Sequence, residues 1–509
     1  MKNQTELFSL LKKYFKYDSF RSGQKEIIDD ILSGHDVLGI LPTGTGKSLC
    51  YQLPALMLDG VTIVVSPLIS LMVDQVKELK ARHFPKVVAI NSFLSYEERK
   101  SIFQQMHRYK LIFVSPELLQ SQDMMYYLQR VTVSLFVVDE AHCISQWGHE
   151  FRPDYLRLVA CIKTLNHPTV LALSATATPV VRKEIIRALE LPNVKEHIYP
   201  MDRENIAFVI EKVHTDQEKL QIILKWLQKQ QVPTVIYAST RNEAVETART
   251  LTEWLPEREI AYYHGGMEQL DRVMIQEQFM NNQIGMICST SAFGMGINKQ
   301  NIRLVIHMNP PKDMESYIQE VGRAGRDGKF STGLLLYTEQ DLEREHNLLI
   351  NETLTKQQLT IIFKILFQLQ GEERLLPNDK KYENLFQITE SQWLFLYYQF
   401  EKHGIINRNQ IIFNEANWRN GFNHILKRVQ ERYHYKRQKL IDMYEWVEED
   451  DCYRKNLYQH FQEGFTAPQM YCCSHCGYSL QEWEPEQQPI HKLAEQSWQS
   501  KLKNLMLIE

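Results

Sequence analysis

Short apolar runs alternate with amphipathic stretches through the first two thirds of the chain. Val61–Ser66, Leu111–Ser115, Leu135–Asp139 and Val170–Ser174 are strand-length, nearly continuous in apolar residues, and closed by a small or acidic residue. Runs of that kind read as strands buried on both faces, and the helix-like segments between them read as crossovers, so the pattern predicts a doubly wound parallel α/β sheet. The pattern resets near Arg203, and Thr234–Ala238, Met286–Ser289, Arg303–His307 and Leu334–Tyr337 form a second set. Two α/β domains are expected, 1–205 and 206–345. Beyond residue 345 the character changes. Lys356–Leu369 and Ser391–Lys402 have helical, apolar-rich spacing, and the second precedes two short apolar runs around Asn407-Arg408-Asn409. Helix followed by hairpin fits a winged-helix-like module over 346–428, and a small helical spacer fits the same residues. His424–Gln438 places Lys427, Arg428, Arg432, Lys436 and Arg437 on a further helix, whose basic face is expected to be solvated.

Composition narrows the class. At 509 residues the chain is too long for one core, and its 44% hydrophobic and 24% charged residues are those of a globular protein. A net charge of -4 carries no bulk attraction for a polyanion, so a nucleic-acid surface would have to be local. The first six residues lack an apolar signal region, and the apolar runs are too short to span a bilayer. No membrane partner is expected, and the expected location is cytoplasmic, on the nucleoid in a bacterium. Of eight cysteines, Cys50, Cys143, Cys161 and Cys288 are scattered and four fall between Cys452 and Cys476. That clustering points to a metal in a reducing compartment.

The segment Leu41-Pro-Thr43-Gly44-Thr45-Gly46-Lys47-Ser48 follows an apolar run, Val37–Leu41, and precedes a helical pattern. Its glycines let backbone N–H groups turn around phosphate oxygens at the positive end of the next helix. Lys47 would reach the β- and γ-phosphates and the Ser48 hydroxyl would ligate Mg2+. The strict pattern has Gly where this chain has Leu41; a plain strand–turn–helix junction explains the glycines, though not Lys-Ser after them. Phe136-Val-Val-Asp139-Glu140-Ala-His142 puts two carboxylates at the C-terminal edge of a parallel sheet. Asp139 would hold Mg2+ through water and Glu140 would orient and deprotonate the attacking water, the bland reading being an acidic helix cap. In Gln319–Gly328, Arg323 and Arg326 stand three apart on one helical face, suited to a γ-phosphoryl transition state supplied across a cleft.

These pieces, in this order, resemble the RecQ family of DNA helicases over roughly 10–345, and more weakly over 430–480. The resemblance implies two RecA-like domains, ATP and Mg2+ as cofactors, and 3′-to-5′ translocation on single-stranded DNA with duplex unwinding. Tyr17, Arg21 and Gln24 look like the family's adenine-reading element. Ser66–Gln75 resembles a DNA-backbone motif, and Ser174-Ala-Thr176-Ala-Thr178 resembles the motif that couples hydrolysis to DNA. Tyr263-His264-Gly-Gly-Met267 and Ser289–Lys299 are similar to the second domain's DNA- and ATP-facing motifs, with Asn298 where many members have Asp. The most family-specific stretch is Cys143–Tyr155, which resembles an aromatic-rich DNA-sensing loop carrying Trp147, His149, Phe151 and Arg152. Aromatic rings stack on bases and arginine contacts phosphate, which favours DNA here because the rival DEAD-box RNA helicases lack this loop.

Cys452, Cys472, Cys473 and Cys476 resemble the family's structural zinc module in 429–509, with departures. Met470 and Ser479 stand where further Cys-x-x-Cys partners are expected, so Cys472 substitutes, with His475 or His460 as the fallback ligand. Only about thirty residues follow Ser479, too few for the family's winged helix and terminal nucleic-acid-binding domain. Implied partners are single-stranded and partly duplex DNA, with a single-strand-binding or other repair protein as a further candidate. Three readings compete with an autonomous DNA helicase: an RNA helicase, a DNA-annealing scaffold with a degenerate ATPase, and a DNA-stimulated translocase that barely unwinds.

Overall fold

A computed structural model of the chain describes residues 2–84, 86–91, 93–145, 152–294, 299–370, 385–407, 410–462, 464–468, 471–479, 481 and 483–485. Seven strands form the first sheet: β1 (Val37–Ile40), β2 (Val61–Val65), β3 (Val87–Ile90), β4 (Leu111–Val114), β5 (Val133–Val138), β6 (Thr169–Ser174) and β7 (Lys195–Ile198). All pairings are parallel, in the spatial order β3-β4-β2-β5-β6-β1-β7. Every residue of β1, β2 and β4 is buried, as expected of strands covered by helices on both faces. The register aligns Val65 with Val138, Val138 with Ala172, and Ile40 with Ser174. The loops that leave β2, β5, β6 and β1 therefore emerge side by side along one edge, where parallel sheets bind ligands.

The second sheet comprises β8 (Ile206–Lys212), β9 (Thr234–Tyr237), β10 (Ile260–Tyr263), β11 (Met286–Ser289), β12 (Leu304–His307) and β13 (Ser331–Tyr337). It is also fully parallel, ordered β10-β11-β9-β12-β13-β8. The linker 199–205 joins β7, at the edge of one sheet, to β8, at the edge of the other. β7 (Lys195-Glu-His-Ile) is largely exposed, so its polar sequence gives no core signal.

The helices Lys356–Gln370 and Glu390–Lys402 are followed by a minimal antiparallel hairpin, β14 (Ile406–Asn407) with β15 (Gln410–Ile411). Thr389 and Gln392 form a reciprocal capping box that starts the second of these helices. This segment has its own core, including Leu359, Ile362, Leu366, Leu396, Phe400, Ile405 and Ile425. A single helix, Glu415–Glu448, then runs through residue 428, so the expected division at 428/429 falls inside one helix. Its first half packs in that accessory core. Its second half, through Leu440, Met443, Tyr444 and Trp446, joins the core of the α/β domains and the cysteine segment. The expectation of a solvated basic face is corrected in part. Lys427 is 74% exposed, but Arg432 is partly buried, 5.0 Å above the Phe395 ring, and burial lowers it to about 10. Lys436 is also partly buried. Among the described residues no helix is long and apolar enough to cross a membrane.

Candidate active site

β1 runs directly into the glycine loop. Gly44 and Gly46 have φ of +83° and +79°, a conformation that disfavours any side chain. The helix Leu49–Met57 begins behind Ser48, and its first bonds run from Leu49 N–H to Gly46 O and from Cys50 N–H to Lys47 O, both 3.0 Å. Thr45 Oγ1 donates to Pro42 O at 2.7 Å, closing the turn. The upstream residues reach this loop unequally. Gln24, 3% exposed, donates to Thr45 O (2.8 Å) and Gly46 O (3.2 Å), and its Oε1 accepts from Arg21 N–H (2.9 Å). The Arg21 guanidinium donates to Gly44 O. Tyr17 stands exposed.

Two strands away, β5 ends in the carboxylate pair. Asp139 is buried; its N–H donates to Val65 O (2.9 Å) and its Oδ1 accepts from Glu140 N–H (3.0 Å). Burial, reinforced by Glu140, raises the Asp139 carboxyl to about 7, with Lys47 opposing. Two crowded carboxylates beside a phosphate-type loop are a donor set suited to a divalent cation. Glu140 sits at φ +48°, strained for a residue with a Cβ, and its buried Oε2 takes no hydrogen bond among the described residues. That oxygen lies 3.4 Å from His142 Nδ1.

His142 is the residue whose importance sequence reasoning missed. It is 1% exposed, and its Nδ1 lies 3.0 Å from Ser174 Oγ at the end of β6. Ser174 Oγ itself donates to Thr176 O at 2.8 Å, so Nδ1–H is the donor to Ser174. Thr176 Oγ1 is buried without a hydrogen bond among the described residues. The carboxylate ledge is thus joined to the 174–176 turn through one imidazole. In sequence His142 is only the neighbour of the carboxylates; its partner stands 32 positions away.

The second domain supplies the opposite wall. The helix Met314–Val321 leads into the glycine- and arginine-containing turn 322–328. Arg323, 4% exposed, donates to Gly294 O. Arg326 lies against the glycine loop: a Cβ on Gly44 would stand 3.2 Å from Arg326 Cγ. Burial, with Arg323 and Arg203 alongside, lowers Arg326 to about 9, so the cleft favours a bound anion. Thr43 Oγ1 donates to Gly322 O across the cleft (3.1 Å). Arg203, on the interdomain linker, was also missed. Its Nη1 donates to Thr43 O (3.2 Å) in one domain and Gly322 O (3.1 Å) in the other, and its Nη2 donates to Gly325 O. A lone arginine outside any motif gives no sequence signal for such a bridge.

The residues expected to meet nucleic acid are less grouped. Trp147, His149 and Phe151 lie outside the described residues. Arg152 N–H donates to Cys143 O and its Nη1 to Pro67 O, both 2.9 Å, which ties the end of that loop to the segment after β2. His264 follows β10 in the second domain and stacks on Tyr262, ring centroids 5.8 Å apart.

The four C-terminal cysteines converge. Their sulfurs all lie within 4.8 Å of one another, with Cys452–Cys472 and Cys473–Cys476 at 3.5 Å and Cys452–Cys473 at 4.0 Å. A tetrahedral zinc site with bonds of ~2.3 Å places its sulfurs about 3.8 Å apart, so the set fits that ion. The adjacent pair Cys472–Cys473 is accommodated within the cluster. His475 turns to Asp450 (3.3 Å), and neither it nor His460 joins the sulfur cluster. Hydrogen bonding from the Cys472 thiol holds Cys473 below the usual thiol range.

The paired parallel-sheet domains and their shared cleft define a helicase core. The family model described as DEAD/DEAH box helicase matches residues 21–184, and the helicase conserved C-terminal domain matches 218–328. Among solved structures, the chain is similar to Mycobacterium smegmatis helicase Lhr bound to ssDNA and AMP-PNP. The TM-score there is 0.55 at 21% identity, covering 65% of this chain and 48% of that one. Saccharomyces cerevisiae Dbp5 bound to RNA and ADP BeF3 gives a TM-score of 0.54 at 17% identity, covering 66% and 90%. These likenesses establish the fold. The sequence is 37% identical over 508 residues to the probable ATP-dependent DNA helicase RecS of Bacillus subtilis, covering 99% of both chains. It is 42% identical over 344 residues to the ATP-dependent DNA helicase RecQ of the same organism, and 38% over 351 residues to that of Haemophilus influenzae. The chain belongs to the RecQ family of helicases. It spans the whole length of the RecS relative but only 56% of each of those RecQ relatives.

Proposed function

We propose that this chain is an ATP-dependent DNA helicase that moves 3′-to-5′ on single-stranded DNA. The observation that carries the reading is the placement of Arg326 against Gly44, with Asp139 and Glu140 two strands away on the same sheet edge. In this reading 1–205 and 206–345 are the motor domains. Gln24 with Arg21 and Tyr17 receives the adenine, and Thr43–Ser48 receives the phosphates. Ser48 and Asp139 would hold Mg2+, which neutralises phosphate charge during transfer. Glu140 takes a proton from the attacking water, and its strained backbone, with Oε2 3.4 Å from His142 Nδ1, supports that poised role. Arg326 and Arg323 stabilise charge developing on the transferred phosphoryl group. Zn2+ would be held by Cys452, Cys472, Cys473 and Cys476, where it supplies structural cross-linking.

DNA is favoured over RNA by the sequence relatives and by the Trp147-containing segment, whose ends are anchored through Cys143 and Arg152. His142 and Ser174 would carry the state of that segment to Glu140. A single-strand-binding protein is a fitting partner, and the nucleoid a fitting location in a bacterial host. The test is ATP hydrolysis with oligothymidylate, with oligouridylate and with neither. Stimulation by oligothymidylate well above oligouridylate supports the proposal. Preferential stimulation by oligouridylate would turn it into an RNA-dependent motor.

A further inference from the structure

The segment that connects the two motor domains is gripped from outside by the cysteine module. Arg454 lies on the short helix Tyr453–Tyr458, directly after Cys452, and is 0% exposed. Its guanidinium pairs with Asp202 and donates to Arg203 O (3.3 Å) and Ile206 O, and it lies 4.7 Å above the Phe208 ring. Gln462 Oε1 accepts from Met201 N–H at 2.9 Å. The module also adds itself to the edge of the second sheet. Phe208 N–H donates to Cys472 O (3.2 Å), Ser474 N–H donates to Phe208 O (2.8 Å), and Ile210 N–H donates to Ser474 Oγ (3.3 Å). The linker backbone from Met201 to Ile206 is thus fixed at both ends by residues bracketed between cysteines.

That backbone carries Arg203, whose side chain touches the glycine loop at Thr43 and the arginine turn at Gly322 and Gly325. Asn205 adds bonds to Gly325 O (2.9 Å) and Lys329 O (2.8 Å). We infer that Arg454 is a positioning residue for ATP turnover: it fixes the linker so that Arg203 can hold the glycine loop and the arginine turn in register. A planar guanidinium forked among a carboxylate and two carbonyls is suited to this, and a lysine in its place keeps the charge but loses the fork. The inference makes the cysteine cluster part of the device that sets the approach of the two domains.

The test is a double-mutant cycle on the full chain with Arg454→Lys, Arg203→Lys and the pair, using oligothymidylate-stimulated hydrolysis. Zinc content and AMP-PNP affinity are measured alongside. Each single change is expected to lower kcat about tenfold, with AMP-PNP affinity within about threefold of the parent and zinc retained. Because both act on one linkage, the double variant should lie within about threefold of the worse single one. Multiplying effects, a fall near one-hundredfold, overturn the inference, as does loss of zinc or of AMP-PNP binding that accounts for the loss of rate. Should Arg454→Lys fail to fold, Gln462→Ala tests the same linker from a partly exposed site. A kcat lowered about threefold at unchanged zinc supports the inference, and parent-like kcat overturns it. The inference rests on the helicase reading, but parent hydrolysis unresponsive to DNA would refute that reading on its own, before any variant is compared.

Discussion

The imidazole between Glu140 and Ser174 makes a sharp demand of Ser174→Ala. The substitution removes the acceptor of His142 Nδ1–H (3.0 Å) and the donor to Thr176 O (2.8 Å), in a turn where His142, Ser174 and Thr176 are each no more than 2% exposed. A buried polar group left unpaired costs about 1–3 kcal/mol, which sets the loss at Thr176 O, while His142 Nδ1 keeps its 3.4 Å contact with Glu140. A chain of several domains does not unfold in one step, so the quantity to measure is local. Amide exchange of β5 and β6 in native buffer reads the opening free energy of the first domain. The functional part follows from the same geometry: an imidazole no longer held by Ser174 cannot fix Glu140. Oligothymidylate-stimulated hydrolysis should fall about ten times further than DNA-free hydrolysis. Opening energies within about 0.5 kcal/mol of the parent, together with an unchanged stimulation ratio, would show that the Ser174–His142 contact holds neither the turn nor Glu140.

Other perturbations give distinct signatures. Glu140→Gln removes the proposed proton acceptor while leaving the phosphate loop intact, so kcat should fall about 10²- to 10⁴-fold with ATP binding preserved, measured by single-turnover hydrolysis and nucleotide affinity. Arg326→Ala should lower kcat by about 10³-fold, in the range of a lost transition-state arginine; a loss below tenfold would remove this residue from the chemistry. Gly322→Ala would set a Cβ against Thr43 Oγ1 and 2.7 Å from Ile318 O, so it should block the domain approach. Its expected result is a folded chain by circular dichroism with hydrolysis reduced at least tenfold. Cys473→Ser should release zinc, detected by elemental analysis, and should raise amide exchange at Phe208 and Ile210, whose N–H groups bond to the cysteine segment.

Much of the site was legible because it is local. Gly44, Gly46, Lys47 and Ser48 are adjacent, and both glycines take the left-handed conformation their spacing requires. The buried strands showed themselves as aliphatic runs because helices cover both faces of each sheet. What could not be read is long-range or carries no hydrophobic signal. Arg454 meets Asp202 across 252 positions, and Arg203 meets Gly322 across 119. The strand Lys195–Ile198 is polar because it lies at an exposed edge. The helix Glu415–Glu448 passes from one core to another without a proline or a cap to mark the change, so a boundary at 428 was the natural misreading. Arg432 looked solvated because charge patterning along a helix does not reveal a facing aromatic ring such as Phe395.

The decisive experiment is strand separation on duplexes bearing a single-stranded 3′ tail or 5′ tail, with ATP and with Lys47→Ala as the control. ATP-dependent unwinding of the 3′-tailed duplex alone, abolished by Lys47→Ala, is the expected result. Unwinding from the 5′ tail would contradict the assigned polarity, and DNA-stimulated hydrolysis without separation of either duplex would contradict the claim that this chain unwinds DNA by itself.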